Sequence, residues 1–386
     1  MIEGPSASRI ADDLWKLVCV PSPTRREREA ALLYAEMLSD CGAEVELDET
    51  IHDSPSVIGR LAGSRHGPTL QLAGHIDHID VTHERPTRTA DVITGRGSAD
   101  MKAGLACILE IVRVLATRRD FPGTVLVTVY GLHEAPLGRA EALVGLIERG
   151  IKGDAAVIFE GPPGVAVVCG KGQSIWDLAL QHGGAAEHEL RRPVESDQLI
   201  DAVLKIAQSI RAENRRLSTT SYDLLGPESL FIGQIHYGDF YNRAPRSCTM
   251  QGTRRWHPGR TFHDAQVHLA DLLARAALPA ALKASVSWTF VGESFAVDPN
   301  EKILRALLAA ARSLHGSELP LGGVSAVMDT SRLVPLGRVP TVPVDCDGST
   351  GHADAEFVRL PVVMDACRLA LETSLNYLDS GSKGGA

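Results

Sequence analysis

A histidine and an aspartate two residues apart close the run Thr69-Leu70-Gln71-Leu72-Ala73-Gly74-His75-Ile76-Asp77. A glycine-rich stretch, Gly95-Arg96-Gly97-Ser98-Ala99-Asp100-Met101-Lys102, then sets another aspartate at the mouth of an amphipathic segment. Glu160 follows the apolar run Ala155–Phe159, and His352 sits in Gly348-Ser349-Thr350-Gly351-His352-Ala353-Asp354-Ala355-Glu356. Imidazole and carboxylate together suit zinc, manganese or a similar divalent ion. Each group alone has a plainer reading. His75 and Asp77 could be a polar strand end, Asp100 a helix N-cap, and Glu160 and His352 loop residues. In an open α/β sheet, side chains at the carboxyl ends of strands converge on one crevice. Five such positions, each after a strand or a glycine turn, are therefore expected to form one site.

The elements that must position these groups read as an α/β domain with an insert. Helices are expected over Ser6–Cys19 and Arg26–Leu38, broken by Pro21-Ser22-Pro23-Thr24. Short strands follow at Ala43–Leu47, Ser56–Leu61 and Thr69–Ala73. Leu105, Ile108, Leu109, Val112 and Leu115 fall at helical spacing, so one face of that helix is core. Gly123–Tyr130 is a nearly continuous apolar, β-branched run, which fits a strand buried on both faces and ends at Gly131-Leu132-His133-Glu134. A helix around Ala142–Arg149 leads to the strand Ala155–Phe159, and this alternation argues a parallel sheet.

From Gly172 the texture changes. Trp176, Leu178 and Leu180 alternate, as do Val286, Trp288 and Phe290, which suggests half-exposed antiparallel strands. Two amphipathic helices lie between, one with Leu199, Val203, Ile206 and Ile210, the other with Ala265, Leu269, Leu272 and Ala276. Residues 173–291 are expected to form an α+β insert in a domain made of 1–172 and 292–386. The first pattern resumes with a helix at Asn300–His315 and a strand at Thr341–Val344. The tail from Gly381 reads as flexible.

With 386 residues, 44% hydrophobic and 23% charged, the chain can bury a large core. A net charge of −9 without a basic block excludes a nucleic-acid face. No apolar run approaches the roughly 20 residues of a membrane span. The seven cysteines are scattered and never spaced as CxxC, and Met1-Ile2-Glu3-Gly4-Pro5 lacks a signal-peptide layout. A cytoplasmic location is expected.

The segments G-H-I-D, G-R-G-S-A-D-M-K-A-G, D-A-A-V-I-F-E-G-P and G-H-A-D-A-E-F-V resemble the co-catalytic metallo-aminoacylase family. Acetylornithine deacetylase, succinyl-diaminopimelate desuccinylase, aminoacylase and glutamate carboxypeptidase belong to it. The resemblance spans nearly the whole chain, and its most specific element is G-R-G-x-x-D-M-K. It implies a zinc-aminopeptidase-like catalytic domain with a mainly parallel sheet, plus a lid or dimerisation domain corresponding to the insert. It makes His75 a ligand of one metal, Asp100 the bridge between two, Glu160 the remaining carboxylate on the first metal and His352 the histidine on the second. Asp77 resembles the residue that orients His75. His188 resembles a histidine that reaches a partner subunit's site to stabilise an oxyanion, and Asn242 and Arg255 resemble residues that hold substrate.

One segment departs from the pattern. The family has two consecutive glutamates here, a general base and then a ligand to the second metal, whereas this chain reads Leu132-His133-Glu134-Ala135-Pro136. The expected alignment makes Glu134 the base and leaves Ala135 without a ligand unless His133 substitutes. One or two divalent ions (Zn, Mn or Co) per subunit follow. The resemblance implies hydrolysis of a C–N bond, foremost the amide of an N-acyl amino acid or similar small substrate, by a homodimer. The alternatives are an aryl-amine aminohydrolase that releases ammonia and a non-catalytic scaffold of the same descent.

Overall fold

Four stretches of apolar and β-branched residues run parallel and end level with one another. In the computed structural model, which describes residues 4–191 and 197–380, the strand Arg65–His75 pairs in parallel with Pro122–Tyr130 on one side and Ala155–Ile158 on the other. Thr341–Pro343 adds in parallel beyond Ala155–Ile158. The register sets His75 opposite Tyr130, Ala73 opposite Ile158, and Ile158 opposite Pro343. All four chains therefore leave the sheet at one edge. Ser56–Ala62 and Glu44–Asp48 complete six strands by antiparallel pairing. The sheet is mixed α/β and mostly parallel at its centre, as the sequence predicts. Leu70, Leu72, Val125, Val127, Val129 and Val157 are all buried, which is the burden of a sheet covered on both faces.

The helix Ala103–Arg118 is buried nearly all round and packs against Ala7–Cys19 and the long helix Leu360–Ser380. Expected helix ends shift by only a few residues, as at Arg28–Asp40 and Glu141–Glu148. Sequence periodicity did not single out the 21-residue helix Leu360–Ser380, whose burial runs over more than one stripe.

The chain divides into two units, one of residues 1–168, 297–322 and 328–386 and another of 169–296 and 323–327; the expected insert 173–291 lies within the second. That unit is a four-stranded antiparallel sheet in the order Ser229–Tyr237, Ser247–Trp256, Gly172–His182, Leu282–Gly292. Trp176, Leu178 and Leu180 turn to one face, where they join Leu199, Val203, Ile206 and Ile210 of helix Gln198–Leu217 and Leu269 and Leu272 of helix Phe262–Arg275. The second helix starts at a capping box: Thr261 Oγ1 accepts from Asp264 N, and the Asp264 carboxylate accepts from Thr261 N. The tail from Gly381 lies outside the described residues.

Candidate metal centre

Since four strands end level, the loops that follow them meet. His75 is the last residue of its strand and is fully buried. Its Nε2 lies 3.1 Å from Asp100 Oδ1 and 3.0 Å from Glu160 Oε1, while its Nδ1 lies 3.0 Å from the Asp77 carbonyl. Asp100 caps no helix. It sits with extended backbone inside an irregular turn, the helix begins only at Ala103, and its second oxygen faces His352 Nε2 at 3.3 Å. His352 Nε2 also lies 2.9 Å from Glu134 Oε1. The structure thus brings His75, Asp77, Asp100, Glu134, Glu160 and His352 together, although they are spread over nearly three hundred residues of chain.

His133 joins them. Its ring stacks on that of His75 with centroids 4.0 Å apart and planes within 4°, and its Nε2 is 3.6 Å from Glu160 Oε1. Two overlapping groups present one donor atom each within reach of a common ion: His75, His133 and Glu160, and His75, Asp100 and Glu134. His352 adjoins the second group through Asp100 and Glu134.

Loop positions are held by carboxylates acting on backbone amides. Asp77, fully buried, accepts from His133 N at 3.0 Å, from Glu134 N at 2.9 Å and from Thr24 Oγ1 at 2.9 Å. Glu27, also fully buried, accepts from Leu132 N at 3.0 Å. Three consecutive amides are therefore pinned where Leu132 takes a φ of 59°, a conformation that costs a branched residue energy. Glu356 does the same for the glycine-rich loop, accepting from Ala99 N, Asp100 N and the Arg96 guanidinium; Arg96 also donates to Ala353 O, next to His352. Glu27, Thr24, Tyr130, Asp329 and Glu356 escaped the sequence reasoning. Only the first turn between two helices and the recurrence of acids beside glycine loops could have hinted at them.

The electrostatics favour a cation. Among the described residues, the side-chain partners of Asp77, Asp100, Glu134, Glu160 and Asp329 are histidines and hydroxyls, with no lysine or arginine. Burial would raise the Asp77 carboxyl, yet its bonds with His75 bring it down to about 2. Hydrogen bonds to Asp100 and Glu134 lift His352 to about 10. Burial pulls His133 down, but the charge of Asp329 outweighs it and holds the ring at about 9. Glu160 is pushed up by burial and by the charge of Asp329. The imidazoles take up protons because the carboxylates need positive charge close by, and a divalent ion meets that need while displacing those protons. Donor chemistry and charge both fit such an ion.

The remaining expected residues belong to the second unit. His188 is exposed, and its Nε2 lies 3.1 Å from Asn242 Nδ2. The loop from Tyr237 to Pro245, with Glu189 and Leu190, lines an open hollow of about 830 Å³ beside them. Arg255 is half-buried at the end of strand Ser247–Trp256, and its guanidinium donates to Ser325 O.

This arrangement of histidines and carboxylates at the carboxyl edge of a mostly parallel sheet defines a metallohydrolase. The chain belongs to peptidase family M20/M25/M40, which matches residues 72–376, and it is accordingly a metal-dependent hydrolase acting on carbon–nitrogen bonds. Its relatives include the succinyl-diaminopimelate desuccinylase of Gluconobacter oxydans, 26% identical over 340 residues, 84% of this chain and 85% of that protein. The desuccinylase of Methylobacterium radiotolerans is 27% identical over 237 residues, 56% of this chain and 59% of that protein, so the alignment spans under two thirds of the latter. In fold the chain is similar to the YXEP protein of Bacillus subtilis, a dinuclear metal binding peptidase, with a TM-score of 0.72 at 17% identity over 97% of this chain and 98% of that one. No helix among the described residues is long and apolar enough to cross a membrane.

Proposed function

We propose that the protein hydrolyses the amide of an N-acyl amino acid or a similar small substrate. The observation that carries this reading is the convergence of His75, Asp100, Glu160 and His352, each within 3.3 Å of another, with Glu134 at 2.9 Å from His352. His75, Asp100, Glu160 and His352 would hold the metal, with Asp100 shared between two positions. A divalent ion there supplies a Lewis acid and brings the pKa of water down to around 7.

The chain's own groups do the rest. Glu134 accepts the proton of the attacking water and returns it to the leaving nitrogen. Asp77 fixes the direction of Glu134 by holding its backbone amide, and fixes the His75 ring from the opposite side. His188 donates to the oxyanion from a partner subunit, and Asn242 and Arg255 hold the substrate. The desuccinylase relatives support amide cleavage with release of a carboxylic acid. Exposed Phe231 and Ile235 on the edge strand Ser229–Tyr237 support a homodimer through the second unit.

A panel of N-acyl amino acids, dipeptides and aryl amines tests the reading, with carboxylic acid and ammonia measured separately. Carboxylic acid release from one N-acyl class, lost by orders of magnitude in Glu134→Ala with metal content unchanged, is the expected result. Near-normal turnover by Glu134→Ala would remove that residue as the base. Ammonia release would move the substrate class to aryl amines.

A further inference from the structure

Resting on the metallohydrolase reading above, we propose that His133 is a metal ligand in this chain and that Asp329, held in turn by Tyr130, is the positioning residue that presents it. Tyr130 is the last residue of its strand, Asp329 opens the short helix Thr330–Leu333, and both are buried. The Tyr130 hydroxyl donates to Asp329 Oδ2 at 2.6 Å, and His133 Nδ1 lies 2.9 Å from Asp329 Oδ1. With both carboxylate oxygens engaged as acceptors, Nδ1 is the donating nitrogen of His133, and Nε2 offers its lone pair once an ion displaces its proton.

That lone pair faces the carboxylate that His75 also faces. Glu160 Oε1 is 3.0 Å from His75 Nε2 and 3.6 Å from His133 Nε2. The two rings are stacked in parallel, and one donor atom from each lies within 4.8 Å of the other and of a Glu160 oxygen. Asp329 reaches this cluster a second time, since its backbone amide donates to Glu160 Oε2 at 3.3 Å. An imidazole whose other nitrogen donates to a carboxylate is the usual arrangement of a metal-ligating histidine. His133 meets it with the Asp329 carboxylate at 2.9 Å, and His75 is held likewise by the Asp77 backbone carbonyl at 3.0 Å, with the Asp77 carboxylate 3.5 Å away. If His133 only filled space, neither the buried Tyr130–Asp329 pair nor the approach of Nε2 to Glu160 would be required.

Ala135 offers no donor atom, and His133 does not replace it beside Asp100 and His352; it adds a ligand beside His75 and Glu160.

The test is cobalt(II) titration of metal-free protein, read by chelator competition and by proton NMR in water. Each imidazole bound through Nε2 contributes one exchangeable, strongly shifted N–H signal. His133→Ala is expected to lose one such signal and to bind cobalt at least tenfold more weakly. Asp329→Ala is expected to weaken binding about 10- to 100-fold in the wild-type background and to add nothing in the His133→Ala background. Full affinity and an unchanged signal set in His133→Ala would overturn the ligand assignment. Equal losses from Asp329→Ala in both backgrounds would overturn its action through His133. If the alanine variants do not fold, His133→Gln and Tyr130→Phe carry the same readouts, Gln removing the signal and Phe displacing it. Failure of the wild-type protein itself to take up cobalt would instead sink the metallohydrolase reading.

Discussion

Replacing Asp77 by asparagine should damage the site more than any other change of so few atoms. The carboxylate is fully buried and accepts from two backbone amides and one hydroxyl at 2.9–3.0 Å. Its folded-state value of about 2, against an ordinary value of ~3.9, corresponds to about 2–3 kcal/mol in favour of the ionised form in the folded chain. Because that value is depressed, the stabilisation is fully present above about pH 4 and is lost as pH falls toward 2. Asparagine keeps one acceptor oxygen but turns an N–H group toward donors that already point inward. A buried donor left without an acceptor costs a further ~1–3 kcal/mol.

The expected total is about 3–6 kcal/mol, measured by urea unfolding of metal-free protein at pH 7. Metal affinity should fall 10- to 100-fold at the same time, because the His75 ring and the His133–Glu134 loop both lose their anchor. Chelator competition on the folded variant measures this. A loss below ~0.5 kcal/mol with unchanged affinity, judged against the magnitudes above, would refute the claim that Asp77 organises the loop.

Two further expectations rest on neighbouring contacts. A Cβ at Gly131 would lie 2.4 Å from Ser54 Oγ and 2.7 Å from Glu27 Cδ, both buried, so Gly131→Ala should cost about 1–3 kcal/mol and loosen metal binding; a thermal melt within a degree of wild type would count against it. His78 Nε2 accepts from Ser22 N at 3.0 Å, and burial, with the charge of Lys102, holds the ring down to about 4. Its contribution is therefore present above about pH 6.5 and is lost as pH falls toward 4. The stability difference between wild type and His78→Asn should shrink over that window in metal-free protein, and a difference independent of pH would contradict it.

The sequence alone carried the strand ends, the helical stripes and the acid and histidine positions. These depend on short-range patterns: a two-residue alternation in Trp176, Leu178 and Leu180, a 3.6-residue stripe from Leu105 to Leu115, and a glycine loop before Asp100. The family resemblance also implies a metal ligand where Ala135 stands. It could not show what His133 would do instead, because the answer lies in Asp329, 196 residues away. The clamp of Glu27 on Leu132 spans 105 residues, that of Glu356 on Ala99 spans 257, and the contact of Glu134 with His352 spans 218. None of these pairings leaves a periodic trace, since each forms only when parallel strands bring their ends level and the loops beyond them have nowhere else to bury a charge. Which residues could bind a cation was written in residue types, and which ones face each other was decided by the register of the sheet.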